Sequence, residues 1–143
     1  MANRHINDKG LLLIQSFERL ILKPYNDGYG YMTIYWGHLI KEGEVFNGTR
    51  EEADETLRRD LLKAERAVIK QIKVPLSEGQ FSALVSFTFN AGSGNLQRST
   101  LRQKLNRGEY NCSPLFMRYI KSSGKVSKGL IRRRKAEVEL FNS

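Results

Sequence analysis

Apolar residues recur every three or four positions in several stretches of the chain, a spacing that predicts amphipathic helices. The longest stretch, at about residues 50 to 72, begins with a capping box in which Thr49 is the N-cap and Glu52 is the third helical residue. Ser77 and Gln80 repeat that capping pattern before a segment that is apolar on nearly every side, which indicates a buried helix. Shorter helices are predicted after an N-cap at Asp8, over about residues 100 to 106, from Ser113, and over about residues 128 to 141.

A different pattern occupies about residues 22 to 45, where Pro24, several glycines and many aromatic or β-branched residues stand close together. This composition predicts a small antiparallel sheet with tight turns, and Asp27-Gly28 is its strongest turn signal. The fold class is therefore α+β, in a single domain over residues 1–143. Residues 1–7 are polar and predict a frayed arm ahead of the first helix.

Composition narrows the class of protein without fixing it. With 40% hydrophobic and 27% charged residues, the 143-residue chain is typical of a soluble globular domain. Its net charge of +9 predicts attraction to a polyanion, whether cell wall, lipopolysaccharide, membrane headgroups or nucleic acid. Cys112 has no second cysteine to pair with, and the apolar run from Leu11 to Ile14 is too short for a signal sequence or a membrane span. Folding in the cytoplasm is therefore expected.

Two carboxylates in unlike surroundings are the candidate chemistry. Glu18 follows the apolar residues of the first helix, where desolvation would raise a carboxyl pKa. Asp27 lies in a polar turn, where backbone N–H groups and water can stabilise the anion. Cleavage of a glycosidic bond requires one acid that stays protonated and one that stays ionised. A helix-end glutamate and a turn aspartate are commonplace, however, so the pair alone is weak evidence.

The residues around the two acids form a longer motif. It reads Glu, then Tyr-x-Asp-x-x-Gly-x-x-Thr-Ile-x-x-Gly-His, and is formed by Glu18, Tyr25, Asp27, Gly30, Thr33, Ile34, Gly37 and His38. This pattern resembles the phage-type lysozymes, the endolysin muramidases. The likeness continues through residues 80–92, which are similar to that family's central buried helix, and through segments at 99–101, 105–110 and 129–134. It therefore covers nearly the whole chain.

The resemblance implies a fold and a reaction. The implied fold has a sheet-bearing lobe at about residues 18–48, a linking helix at about 50–72 and a helical lobe at about 76–143 that packs with the N-terminal helix. The active-site cleft would lie between the two lobes. The implied reaction is hydrolysis of the bond between N-acetylmuramic acid and N-acetylglucosamine in peptidoglycan, without metal or cofactor. A phage enzyme without its own export signal is expected to leave the host cytoplasm through a holin and to act on the cell wall as a monomer.

The resemblance also implies roles for individual residues. Glu18 matches the general acid, and Asp27 and Thr33 match the residues that hold and activate the attacking water. Inversion is the implied stereochemistry, with the two carboxyl groups about 6.5 to 9.5 Å apart to leave room for that water. His38 is expected to lie near Glu18 and to fix its orientation, and Leu39 is expected to line the cleft and contact substrate.

Three positions depart from the family's usual pattern. Arg19 and Tyr35 stand where glycine is usual, and Tyr119 stands where tryptophan is common. Because a glycine in a cleft strand often marks close approach of a ligand, Tyr35 would narrow or reshape the sugar groove. Alternatively, Tyr35 points into the core and Trp36 offers a stacking face to a sugar, since neighbouring residues on a strand point to opposite sides.

Other functions remain compatible with the sequence. The departures at Arg19 and Tyr35 suit a lysozyme fold that has lost or weakened its chemistry and now only binds glycan or another protein. The basic run from Arg132 to Lys135 invites a nucleic-acid-binding function, but adjacent charges wind round a helix, so we expect a packed terminal helix and no nucleic-acid partner. A lytic transglycosylase cleaves the same bond without water, and the water-handling residues favour hydrolysis over that reaction.

Overall fold

Helices and a small sheet follow one another along the chain in the computed structural model, which describes residues 4–143. In chain order the elements are α1 (Asp8–Phe17), β1 (Ile21–Asn26), β2 (Met32–Tyr35), β3 (His38–Leu39), α2 (Arg50–Gln71), α3 (Glu78–Ala91), α4 (Ser93–Arg98), α5 (Thr100–Asn106), a 3-10 helix (Ser113–Arg118), β4 (Lys121–Ser122), β5 (Lys125–Val126) and α6 (Lys128–Phe141). The architecture is α+β, as the hydrophobic pattern predicts.

The capping residues explain where the two longest helices begin. At α3 both halves of the predicted capping box form, because Ser77 Oγ accepts from the Gln80 N–H and the Gln80 side chain accepts from the Ser77 N–H. At α2 only one half forms. Thr49 Oγ1 accepts from the Glu52 N–H at 3.2 Å, but the Glu52 carboxylate accepts from the N–H of Asn47 and not from that of Thr49. Within residues 4–143, no helix is both long and apolar enough to cross a bilayer.

Helix α3 is the centre of the core. Every residue from 81 to 88 is buried, so the helix is covered on all sides, as its sequence predicts. It packs against α1, α2 and α6. The rings of Phe116 and Tyr119 meet the ring of Phe87 edge-on. This packing gives one wall of the cleft a rigid base.

The sheet is antiparallel in the order β1-β2-β3. Its register places Thr33 of β2 opposite Tyr25 of β1 and opposite Leu39 of β3. Because side chains of directly paired residues share a face, these three residues point to the same side of the sheet. Helix α2 packs against β2 and β3 and also against α3, so it joins the sheet to the helices.

Two predictions at the start of the chain are wrong in detail. The N-cap of α1 is Asn7, whose side chain accepts from the Gly10 N–H at 2.9 Å, and Asp8 is the first helical residue. Residues 4–7 are not a frayed arm, because the N–H of Ile6 donates to Glu65 and that of Asn7 donates to Ser82. Residues 1–3 of the predicted arm lie outside the described part of the chain.

Candidate active site

An open cleft of about 680 Å³ separates the sheet from helices α2 and α3. Its size is that of a ligand pocket for a molecule of several rings. The residues that line it are Glu18, Asp27, Tyr29, Gly37, His38, Leu39, Lys41, Asp60, Lys63, Phe89 and Asn90. Both carboxylates that the sequence singles out therefore lie on one cleft.

Glu18 stands at the end of α1, where its own N–H closes the helix by donating to the Ile14 carbonyl at 2.8 Å. Its side chain is 24% exposed, and Oε2 accepts a hydrogen bond from Nη1 of Arg133 at 2.8 Å. On the other side, a Cβ added at Gly37 would lie 2.6 Å from Glu18 Oε1. Gly37 also has φ +76°, so a side chain there is excluded by both conformation and space.

Asp27 occupies the polar turn between β1 and β2. One of its carboxylate oxygens accepts from the N–H of Tyr29 at 2.8 Å and from the N–H of Tyr31 at 3.2 Å. Two backbone donors stabilise a carboxylate in its ionised form and fix its direction. The second oxygen is left available to a ligand or to water.

Tyr25 shows that both acids act on the same region. Its pKa is raised by burial, and then by the negative charges of Glu18 and Asp27. A Coulomb effect from each acid requires that both lie close enough to the phenol for their charges to act on it. Tyr25 shares its sheet face with Thr33, so this face of the sheet lies next to the two carboxylates.

Thr33 is 3% exposed, and its hydroxyl has no hydrogen-bond partner within residues 4–143. It lies opposite Leu39, which lines the cleft, but its own side chain is behind the open surface. A buried hydroxyl without a partner is uncommon and requires an explanation, for which a bound water or substrate atom is one candidate.

Comparison with known proteins decides the class of this site. Residues 15–137 match the family model described as phage lysozyme. The chain belongs to the phage lysozyme family. It is 41% identical to an endolysin of Acyrthosiphon pisum secondary endosymbiont phage 1, over 97% of this chain and 99% of that protein. It is 40% identical to the endolysin of Bacillus phage B103. That match covers 96% of this chain but only 54% of the longer relative.

Solved structures agree with the sequence relatives. The muramidase domain of SpmX from Asticaccaulis excentricus superimposes with a TM-score of 0.87 and is 35% identical, over 98% of this chain and 99% of that one. Family and structure together confirm the predicted lysozyme-like α+β fold and the predicted enzyme class. This lysozyme is a glycoside hydrolase of the phage endolysin type.

The prediction that Trp36 offers a stacking face to a sugar is wrong for this lysozyme. Trp36 is 7% exposed, and its indole N–H donates to Asp54 of α2 at 2.9 Å. The Arg50 guanidinium lies over its ring, 5.2 Å from the centroid. The ring is therefore part of the contact between the sheet and α2 and does not line the cleft.

Tyr35 does not narrow the groove either. It is fully buried, and its hydroxyl donates to the Glu52 carboxylate and accepts from the Gly48 N–H at 2.9 Å. Its φ is +61°, in the left-handed region where a residue with a side chain costs about 1–2 kcal/mol. This backbone conformation gives a physical reason for the glycine that the family usually has here. In this chain the hydroxyl contacts hold the tyrosine in the strained conformation.

His38 lines the same cleft as Glu18, but the prediction that it fixes the orientation of Glu18 is wrong, because its two ring nitrogens bond other acids. Its Nδ1 pairs with Asp60 at 2.8 Å and its Nε2 with Glu44 at 3.0 Å. Burial by itself would lower the pKa of His38, but the hydrogen bonds that its ring donates to Asp60 and Glu44 outweigh burial and raise that pKa above the usual 6.5. Two carboxylates on the two ring nitrogens therefore favour the imidazolium.

The residue that orients Glu18 is Arg133, which the sequence did not single out. Arg133 is buried and also contacts Glu137 through Nε and the Ser86 carbonyl through Nη2. The available signal was the run of three arginines in α6, of which Arg133 and Arg134 are buried and Arg132 is exposed. Burial of two adjacent arginines is informative because such side chains are rarely buried without partners.

A further contact joins the two sides of the molecule at the edge of the cleft. The hydroxyl of Tyr29, in the turn between β1 and β2, lies 3.0 Å from Oγ of Ser122 in the β4–β5 hairpin. Tyr29 lines the cleft and is 64% exposed. The sequence did not predict this hairpin, and it supplies the partner from the helical side.

Proposed function

We propose that this lysozyme cleaves the bond between N-acetylmuramic acid and N-acetylglucosamine in peptidoglycan, with Glu18 as the general acid. The observation that supports it is the pair of carboxyls on one cleft, each held by a different kind of donor. Glu18 is anchored by Arg133, and Asp27 is anchored by two backbone N–H groups. Unlike environments for two acids are the basis of glycosidic bond cleavage.

The anchors suggest which atoms do the chemistry. Arg133 occupies Oε2 of Glu18, so Oε1, which faces Gly37, is the oxygen that carries the proton to the leaving sugar oxygen. The free oxygen of Asp27 accepts a proton from water as the water attacks the anomeric carbon. The unpartnered hydroxyl of Thr33 is suited to hold that water. The bond to the leaving oxygen breaks as the new bond to water forms.

This arrangement predicts hydrolysis with inversion, provided that the carboxyls are far enough apart for a water, about 6.5 to 9.5 Å. A lytic transglycosylase would instead form a 1,6-anhydro product without consuming water. Mass spectrometry of the released muropeptides separates the two reactions. Reducing-end products support hydrolysis, and anhydro-ended products would exclude it.

The direct test is the clearance of chloroform-treated Gram-negative cells by wild type and by Glu18→Gln. Removing a general acid is expected to reduce the rate of turbidity loss by about 10²- to 10⁴-fold. Glu42→Gln, an exposed glutamate in the loop after β3, is the matched control and should clear cells at the wild-type rate. Equal, slow clearance by wild type and Glu18→Gln would instead support a lysozyme fold that only binds glycan.

The finer cellular picture is also part of the proposal. We infer two lobes, at about residues 18–48 and 76–143, that close on a peptidoglycan strand as a monomer. The net charge of +9 would add attraction to anionic polymers of the cell envelope. Release from the host cytoplasm would depend on a holin. Expression of the chain with and without a holin tests this, because lysis should follow only when both are present.

A further inference from the structure

The net positive charge of this lysozyme is confined to one part of the chain. Residues 1–91 contain 12 lysines and arginines and 12 acids, so that part carries no net charge. Residues 92–143 contain 12 lysines and arginines but only 3 acids, and they account for the whole net charge of +9. The excess cations therefore lie on the elements that follow α3.

Six of these cations, all of them exposed, follow one another at intervals of three or four residues. They are Arg118, Lys121, Lys125, Lys128, Arg132 and Lys135. We call these six side chains the basic face. Arg118 ends the 3-10 helix, two lysines lie in the β4–β5 hairpin, and the last three cations lie on one side of α6 because they are four and then three residues apart. Consecutive members are at most about 14 Å apart, which is the span of four extended residues.

The basic face has no counter-charge within the molecule. None of its six cations lies within 4 Å of a carboxylate among residues 4–143. Of the three acids in residues 92–143, Glu109 and Glu137 are already paired with other arginines. The third, Glu139, is exposed and lies one helical turn beyond the last cation of the face. The six charges are thus available to an external anion.

The spacing of these charges destabilises the helix that carries half of them. Lys128 and Arg132 are four residues apart on α6, where side chains are neighbours and like charges repel. Lys128 is also in the first turn, where the helix dipole disfavours a cation and no acid is present to offset it. Because the arrangement stabilises nothing within the chain, it favours a role in binding an anionic partner.

An exposed apolar residue lies among the cations. Val126 is 58% exposed and is paired directly with Lys121 across the hairpin, so the two side chains share one side of it. Cations around an apolar tip suit the headgroup layer of a bilayer, where lysines reach the phosphates and the apolar group reaches the acyl boundary. A nucleic acid would instead favour free aromatic rings. The single aromatic residue between 118 and 135 is Tyr119, whose ring packs edge-on against Phe87.

We propose that the basic face docks this lysozyme on an anionic phospholipid bilayer, with its cations at the phosphates and Val126 in the headgroup layer. The proposal goes beyond the proposed reaction, since no sugar takes part in the contact. Clusters of about four to eight lysines and arginines are of the size that anionic membranes retain. The hairpin also carries Ser122, which contacts Tyr29 at the edge of the cleft. A docked molecule therefore keeps its cleft close to the membrane, which the cell wall adjoins.

Co-sedimentation of the full chain with lipid vesicles tests the docking. Vesicles of equal parts phosphatidylglycerol and phosphatidylcholine carry the anionic headgroup, and vesicles of phosphatidylcholine alone are the neutral reference. Wild type should bind only the anionic vesicles and should be released as the salt concentration rises. Each cation at an anionic membrane is worth roughly fivefold in partitioning, so Lys121→Gln/Lys128→Gln/Lys135→Gln should bind about 10²-fold more weakly. Equal binding of wild type to both kinds of vesicle, or binding to neither, would overturn the proposal.

A matched variant separates the basic face from the total charge. Lys9→Gln/Lys23→Gln/Lys70→Gln removes three exposed lysines from residues 1–91 and has the same net charge as the first triple variant. It should stay within about threefold of wild type, because charges that are not at the membrane are screened over about 10 Å. Both variants should give the wild-type circular dichroism, since all six side chains are exposed. The same loss of binding in the two variants would show that the face has no special role.

Val126→Ser tests whether the partner is a bilayer or a soluble polyanion. Loss of an apolar side chain from the headgroup layer should weaken partitioning about threefold to tenfold. Val45→Ser is the control, because Val45 is 88% exposed in the loop after β3, and it should have no effect. An unchanged partition for Val126→Ser, or displacement of wild type from the vesicles by duplex DNA at equal phosphate concentration, would contradict docking on a bilayer. Because the vesicles contain no glycan, none of these results depends on the proposed reaction.

Discussion

On the helical side of the cleft carboxylates pair with arginine, and on the sheet side they pair with histidine. On the helical side, Arg133 and Arg134 share the carboxylate of Glu137, which is 0% exposed. On the sheet side, His38 lies between Glu44 and Asp60, whose side chains are 33% and 26% exposed. Both clusters fix residues of the cleft wall. They differ in burial and in whether the charge of their cation depends on pH.

A guanidinium remains charged at every pH at which the protein folds. Burial lowers the pKa of Arg134, but arginine in water titrates only above about 12, and Glu137 lies directly against it. The Arg134 guanidinium therefore keeps its charge as the pH crosses neutrality. An imidazolium is different, because its ordinary pKa is close to neutral. The helical wall is thus held by a cation that keeps its charge across neutral pH, and the sheet wall by a cation that titrates there.

Neutralising Glu137 is expected to have the largest effect. Glu137→Gln leaves the buried Arg134 guanidinium without a counter-charge, since Arg134 keeps only Asn90 and the Tyr119 carbonyl, and it leaves Arg133 with Glu18 alone. Breaking a buried pair in this way costs about 3–5 kcal/mol of unfolding free energy. Urea denaturation measures it. Glu139→Gln, an exposed neighbour on α6, is the control and should change the unfolding free energy by less than about 0.5 kcal/mol. A similarly small change for Glu137→Gln would mean that the helical wall does not depend on this network.

The His38 cluster should give a smaller effect that depends on pH. Because the folded-state pKa of His38 is raised, its stabilisation is complete below the unfolded-state pKa of about 6.5 and is lost as the pH rises through the folded-state value. Hydrogen bonds to charged groups are worth about 1.5–3 kcal/mol. The gap in unfolding free energy between wild type and His38→Asn should therefore be widest near pH 6 and narrow toward pH 9.

Asp60→Asn tests the cause of that dependence. It removes the carboxylate on Nδ1 and leaves Glu44 on Nε2. The pH dependence of the unfolding free energy should be weaker than in wild type, and an NMR titration of the His38 ring should move to lower pH. A gap between wild type and His38→Asn that is constant, or that widens as the pH rises, would show that the two walls respond to pH in the same way.

The helices could be predicted from the sequence because a helix that buries one face has apolar residues at every third or fourth position. Helices α2 and α3 begin at the residues that their capping patterns indicate. The β4–β5 hairpin could not be predicted in this way, since strands of two residues are too short to show alternation. The hairpin lies between Ile120 and the start of α6.

The site was predictable only where its residues are close together in the sequence. Glu18 and Asp27 belong to one motif, and both lie on the cleft. Arg133 is 115 residues from Glu18, and nothing in the spacing of one chain indicates that contact. Trp36 was misjudged because alternation was assumed along the strand, whereas the positive φ of Tyr35 interrupts it. Both side chains therefore turn into the core instead of one facing the cleft.

The smallest effect is expected where the two sides of the cleft touch. Tyr29→Phe removes only the hydroxyl that bonds Ser122, and because Tyr29 is exposed the unfolding free energy should change by less than about 0.5 kcal/mol. We expect a polymer to enter the cleft from the side, which requires this bond to open, so its loss should lower KM for high-molecular-weight peptidoglycan by about twofold. Short oligosaccharides, which can enter from the end, should show no change in KM.

Tyr31→Phe, an exposed tyrosine two residues away, is the matched control for initial rates on both substrates. A higher KM for Tyr29→Phe on the polymer would mean that the hydroxyl binds substrate and does not hold the two sides together.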